Sequence, residues 1–184
     1  MVPIVVLLVV LGVLALSIGL IYNGLVQGRI AVSEAWSAVQ VQLQRRANLI
    51  PNLVETVRGY ASHERETFES VTRARAELQS ATTPADASQA NNLLTQSLRS
   101  LFAVAENYPA LQANKSFLDL QAQLADTEDK IAYARNYYNS RVLDYNTRIS
   151  TGPGVFVAGP FGFTGAEFFK GDEASREPVR VTFD

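Results

Sequence analysis

Chemistry in this chain would have to come from one histidine, a few carboxylates and several arginines. The histidine opens the run His63-Glu64-Arg65-Glu66-Thr67. That is how a zincin helix begins, but Thr67 stands where a second histidine, one turn on, must complete the zinc ligands. A di-iron bundle needs carboxylates from four helices and two Glu-x-x-His motifs, and the sequence contains no Glu-x-x-His. The absence of cysteine removes disulfides, zinc thiolates and thiol nucleophiles. No catalytic residue, metal or cofactor is therefore expected, and His63 is expected to make local contacts only.

What remains is a set of charges placed on otherwise apolar rows. Phe117, Leu124, Ile131, Tyr138 and Tyr145 recur every seven residues, and Gln121, Glu128, Arg135, Val142 and Ile149 form a companion row. A seven-residue repeat is the pattern of helices packed near +20° in bundles and coiled coils. Glu128 and Arg135 sit two turns apart, too far to pair with each other, so they must reach other helices. The Arg45-Arg46 pair and the first turns of neighbouring helices are the available partners. Because a buried charge left unpaired costs about 3–5 kcal/mol, a polar network of Arg45, Arg46, Glu128 and Arg135 that fixes helix register is expected. The competing reading is a small-ligand or enzymatic site in a polar pocket around Glu128 and Arg135.

The elements that position these charges begin with an apolar run. Residues 2–22 are almost entirely Val, Leu, Ile, Ala and Gly, and the first charged side chain is Arg29. At 1.5 Å per residue the run spans about 30 Å, the thickness of the hydrocarbon layer. A cleaved signal peptide would carry a basic n-region and an apolar core of about 7–15 residues; this run has neither, and Ala15-x-Ser17 is a poor cleavage match. An uncleaved single-pass anchor is expected. Arg29, Arg45 and Arg46 follow the span and no basic residue precedes it, which favours an outside N-terminus and a cytoplasmic bulk. Gly24-x-x-x-Gly28 has a helix-association spacing, and Gly12 and Gly19 lie one heptad apart, so these small faces are candidates for packing between copies. Glycines used only for flexibility are the alternative.

Beyond the span, apolar residues at Leu25, Val26, Val32, Trp36, Val39 and Leu43 step by three and four. The first helix is expected to run to about Ala47 and to break at Asn48-Leu49-Ile50-Pro51. A second helix is predicted from Pro51 to about Gln79, then a connection over residues 80–92 with a cap at Thr83-Pro84-Ala85-Asp86. A third helix reaches about Glu106, Tyr108-Pro109 ends it, and a last long helix starts near Asn114 or Ser116 with Asp119 completing a capping box. Residues 151–171 hold many glycines, two prolines and five phenylalanines. No helix fits there, and so many phenylalanines predict packing of this tail against the bundle or a partner. A short charged segment, residues 172–184, ends the chain. The fold class is thus all-α: one N-terminal transmembrane helix and an antiparallel bundle of about four long helices, divided as residues 1–28, 29–150 and 151–184.

Several motifs resemble the LemA family of bacterial membrane-anchored proteins. They are Tyr22-Asn23-x-Leu25-Val26-x-x-Arg29, Ala35-Trp36-Ser37 and Val41-Gln42-Leu43-x-Arg45-Arg46-x-Asn48-Leu49-Ile50-Pro51-Asn52-Leu53-Val54. Gly59-Tyr60-x-x-His63-Glu64, Tyr108-Pro109-x-Leu111, Ala134-Arg135-x-x-Tyr138-Asn139 and Tyr145-Asn146 continue the resemblance over nearly the whole chain. Ile30, Gln40 and Asn48 depart from residues common in the family. The resemblance implies an anchored helical bundle and no particular activity.

The 16 basic and 18 acidic residues nearly balance, without the cationic excess of a nucleic-acid binder. The expected function is a non-enzymatic membrane scaffold whose partners are the lipid bilayer, membrane-proximal proteins and a second copy of itself. A membrane-remodelling protein is a further alternative.

Overall fold

The computed structural model describes residues 2–171 and is all-α over them; the charged segment 172–184 lies outside the described residues. The elements are α1 (Val2–Arg58), α2 (Arg65–Ser80), α3 (Pro84–Ala105), α4 (Pro109–Gln112), α5 (Lys115–Ser150) and α6 (Gly154–Ala158). They form two compact units, one of residues 2–38 with 136–167, the other of residues 39–135 with 168–171.

Helix α1 corrects the expected break at Asn48-Leu49-Ile50-Pro51. It passes through Pro51 and ends at Arg58, so the second helix starts at Arg65 and not at Pro51. A proline inside a helix leaves the carbonyl four residues back without its donor. That carbonyl belongs to Ala47, and Arg75 Nε of α2 donates to it at 2.9 Å. Ile50, Leu53, Val54 and Val57 are all buried around the proline. Burial of each is worth about 1.5–3 kcal/mol, which outweighs the roughly 3 kcal/mol that proline costs a helix. The reversal comes instead over residues 59–64, where the Ala61 N–H donates to the Val57 carbonyl and the Glu64 N–H to that of Ala61.

The second unit is built on the lower part of α1, α2, α3 and the first half of α5. Two contacts fix α1 antiparallel to α5: Asn114 donates to the Tyr60 hydroxyl, and Arg46 pairs with Glu128. Helix α2 packs on α3, and Phe102 meets Phe117 edge to face. Helix α3 starts earlier than the predicted connection allows. Its cap is the expected Thr83, which accepts from the Asp86 N–H, and only residues 81–83 lie outside a helix. For α5 the cap is Asn114, whose Oδ1 accepts from the Phe117 N–H. Asp119 is therefore outside any capping box, because it lies two residues beyond the N3 position.

The first heptad row of α5 is buried throughout, but its companion is not the predicted one. Leu120, Thr127 and Ala134 are the buried second row up to Tyr138, after which Val142 takes over. Thr127 escapes notice as a core residue because its hydroxyl is satisfied locally, on the Leu124 carbonyl. In α1 the row Leu25, Val32, Val39, Arg46 and Leu53 is likewise buried at seven-residue spacing. Arg46 is thus a charge in a core position.

In the first unit every side chain from Val2 to Leu20 is exposed, and the segment is long and apolar enough to cross a membrane. Further along α1 the unit closes on α5. Tyr145 lies over Gly28, where an added Cβ would stand 3.2 Å from its ring, and Trp36 lies against Tyr138 at 5.4 Å. The segment after α5 departs from expectation by forming α6. This short helix ends in a Schellman motif, with Phe163 N–H on the Ala158 carbonyl, Gly162 N–H on that of Gly159, and Gly162 at φ +71°. Phe163 and Phe169 are buried as predicted for the tail, whereas Phe161 and Phe168 are exposed.

Candidate functional site

The polar cluster of the second unit gathers on Arg46. Its side chain is only 4% exposed, yet it carries a full charge at a core position of α1. Nη1 donates to Asn91 Oδ1 at 2.7 Å and pairs with Glu128 Oε2, while Nη2 donates to Thr95 Oγ1 at 3.1 Å. One guanidinium thus ties α1 to α3 and α5 together. Burial depresses the Arg46 pKa and the Glu128 carboxylate partly restores it. Arginine is effectively always protonated in proteins, so the cluster is built around a cation. Glu128 is 47% exposed and keeps contact with solvent.

Around this cluster lie two further links. Arg75 Nε supplies the Ala47 carbonyl, as described above. On the surface, Arg45 lies 3.4 Å from Asp126, which also accepts from Lys130 at 2.8 Å. The hydrogen bond from Lys130 holds the Asp126 carboxyl below the usual carboxylate range, with Arg45 adding to the effect. These pairs are solvated, and solvent screening leaves such exposed pairs with little effect on stability.

Of the predicted network, the structure brings Arg46 and Glu128 together. Arg45 belongs to the solvated pair with Asp126. Arg135 stands beside Gly171, where an added Cβ would lie 3.0 Å from Nη1, and takes no part in the Arg46 cluster. His63 is exposed in the turn between α1 and α2, and no group of three or more His, Asp or Glu suited to a metal occurs among the described residues. Gly12, Gly19 and Gly24 meet nothing within 4 Å of an added Cβ, whereas Gly28 receives Tyr145 of the same chain. Asn91, Thr95 and Arg75 were missed from sequence. The signal was available for two of them: Asn91 is in phase with Leu94, Leu98 and Leu101, and Arg75 with Phe68, Val71 and Leu78.

A second set of polar side chains holds the extended segment after α6 by its backbone. In the first unit, Asn146 Nδ2 donates to the Ala166 carbonyl at 2.9 Å and its Oδ1 accepts from the Ala166 N–H at 2.8 Å. Tyr138 donates to the Glu167 carbonyl at 2.7 Å. Burial, helped by Glu167, pushes the Tyr138 phenol up to about 12. In the second unit, Ser88 Oγ donates to the Lys170 carbonyl. Each bond satisfies a main-chain group, so the arrangement fastens the segment.

Comparison with known proteins agrees with this picture. A family model described as "LemA family" matches residues 35–183. The chain is 28% identical over 169 residues to Magnetosome protein MamQ 1 and Magnetosome protein MamQ 2 of Paramagnetospirillum magneticum, covering 78% of this chain and 62% of theirs. It therefore spans about three-fifths of the length of those relatives. It is also 25% identical over 175 residues to Protein LemA of Metamycoplasma hominis, covering 89% of this chain and 78% of that protein. With the family match running from the middle of α1 through the last described residues, the chain belongs to the LemA family.

Proposed function

We propose that this protein is a single-pass, membrane-anchored scaffold without enzymatic activity, which binds membrane-proximal proteins and a second copy of itself at the cytoplasmic face. The observation that carries this reading is the continuity of α1. One helix includes both the fully exposed apolar run, residues 2–20, and the core row ending at Leu53 and Val57. Within the first unit alone, the apolar run and the buried residues Leu25, Val32 and Ala35 already lie on one helix. The polar groups of the bundle support the same reading, because both Arg46 Nη atoms, Asn91, Thr95 and Arg75 make helix–helix bonds, with only Arg46 Nε of this set buried without a hydrogen-bond partner. Exposed apolar side chains such as Tyr133 and Leu118 supply contact area for partners.

Site-specific photocrosslinking in intact cells tests it, with the crosslinker placed at Tyr133 or Leu118 of the full chain. Discrete adducts are expected, including one of twice the chain mass, and they should disappear when residues 2–22 are deleted. Folded, membrane-inserted protein that gives no adduct from either position would overturn the scaffold reading. A reporter fused after residue 184 that works only outside the cytoplasm would overturn the orientation.

A further inference from the structure

Three exposed aromatic side chains of the first unit, Tyr22, Phe156 and Phe161, belong to the end of the apolar span and the segment packed on it. Helix α6 buries Val157 and Ala158 and turns Val155 and Phe156 outward, at 46% and 79% exposure. Phe161 is 54% exposed, and its ring lies edge-on to Tyr22 at 5.1 Å. The start of α6 is seated closely. Ile21, Gly24 and Leu25 of α1 line one groove with Arg148, Thr151 and Gly154. A Cβ at Gly154 would overlap the Arg148 carbonyl and reach 3.9 Å from Leu25 Cδ2, so only glycine allows this approach.

We propose that residues 152–161 form an interfacial foot, inserted at the boundary between lipid headgroups and acyl chains, with Phe156 and Phe161 in the bilayer. The proposal rests on the single-pass reading of α1. If residues 2–20 lie in the hydrocarbon, then Ile21 to Leu25 rise only about 8 Å beyond it, and whatever packs on them lies in the headgroup layer. The order of side chains fits that layer. The unbroken run of exposed aliphatic residues ends at Leu20, the aromatic rings of Tyr22 and Phe161 follow, and Arg29 lies beyond them; Ile30 is the next exposed aliphatic residue. Arg29 stacks over Phe163 at 5.3 Å, and Arg148 lines the groove itself. Aromatic rings at the interface followed by basic side chains reaching toward phosphates are what this boundary selects. A five-residue helix followed by a Schellman turn cannot cross the membrane, but it can lie in its surface.

The chain has no cysteine, so single labels are unambiguous. Full-length Phe156→Cys, Leu11→Cys and Val41→Cys, each nitroxide-labelled, would be reconstituted in phosphatidylethanolamine–phosphatidylglycerol vesicles. Collision rates with oxygen and with a water-soluble nickel chelate are then compared. The proposal expects the label at 156 to favour oxygen severalfold, at a shallower depth than the label at 11, with the label at 41 favouring nickel. A label at 156 that behaves like the one at 41, while the label at 11 remains in lipid, overturns the foot and leaves the span intact. Immobilisation at 156 with neither quencher admitted means a protein covers the site, and this also overturns it. A label at 11 that favours nickel removes the span and the foot together.

Discussion

Arg46 and Glu128 meet with unequal exposure, and this makes their substitutions unequal. Removing Glu128 leaves a guanidinium that is almost wholly desolvated without a counter-charge, held only by Asn91 and Thr95. Glu128→Ala should therefore cost about 3 kcal/mol of stability. Arg46→Met leaves a carboxylate that half regains water and one buried amide, a loss nearer 1–2 kcal/mol. Chemical denaturation of the two full-length variants in detergent checks the order, and an equal loss would contradict it. Tyr138 gives a pH dependence at the same scale. Its folded pKa is raised to about 12, so its protonated form stabilises the fold below the ordinary value near 10. That contribution, on the order of 2 kcal/mol, is lost as pH rises from about 10 through about 12. Tyr138→Phe should flatten this limb of the stability–pH curve while losing about 1 kcal/mol at neutral pH with the bond to Glu167. Glu128 was picked from a companion row that the structure places one residue away, on Leu120, Thr127 and Ala134, whereas Arg46 does interrupt the buried row of α1. Asn146 was not legible in sequence, since its partners are main-chain atoms twenty residues away and leave no trace in side-chain pattern.

Proline at position 51 shows how a rule for single elements yields to packing between them. Sequence supports a break there because the local cost is real, and nothing local reveals that Arg75 will replace the missing donor. The two residues should therefore be energetically coupled. Arg75→Met alone leaves the Ala47 carbonyl bare and costs about 1–3 kcal/mol. In a Pro51→Ala background the helix regains its own N–H at that position, and the same change should cost much less. A double-mutant cycle measured by thermal unfolding gives the coupling directly; strict additivity would sink this account of α1. The heptad row of α5 was legible, because five large apolar residues at one spacing define a stripe. Its partner row was misplaced by one residue, since Thr127 and Ala134 are small or polar and carry little hydrophobic signal. The same weakness hides α6, whose glycines and proline mark its ends and not its interior.

For the whole molecule, an exposed apolar run and buried core residues share one helix, and the most buried charge among the described residues, Arg46, is engaged in holding helices together. The all-α class and the apolar N-terminal helix follow from composition and period alone. The site was only partly legible, because a buried ion pair and a ligand pocket begin from the same residue types. What separates them is whether the polar groups are needed once the helices are held another way. Arg46→Leu, Asn91→Leu and Glu128→Leu introduced together into the full-length chain replace the cluster by apolar packing. Thermal stability in detergent is measured beside complementation of a deletion strain. The scaffold account predicts a variant at least as stable as the parent that restores the cellular role. A variant that folds as well and inserts in the membrane, yet fails to complement, would contradict it and assign the Arg46–Glu128 cluster a working role.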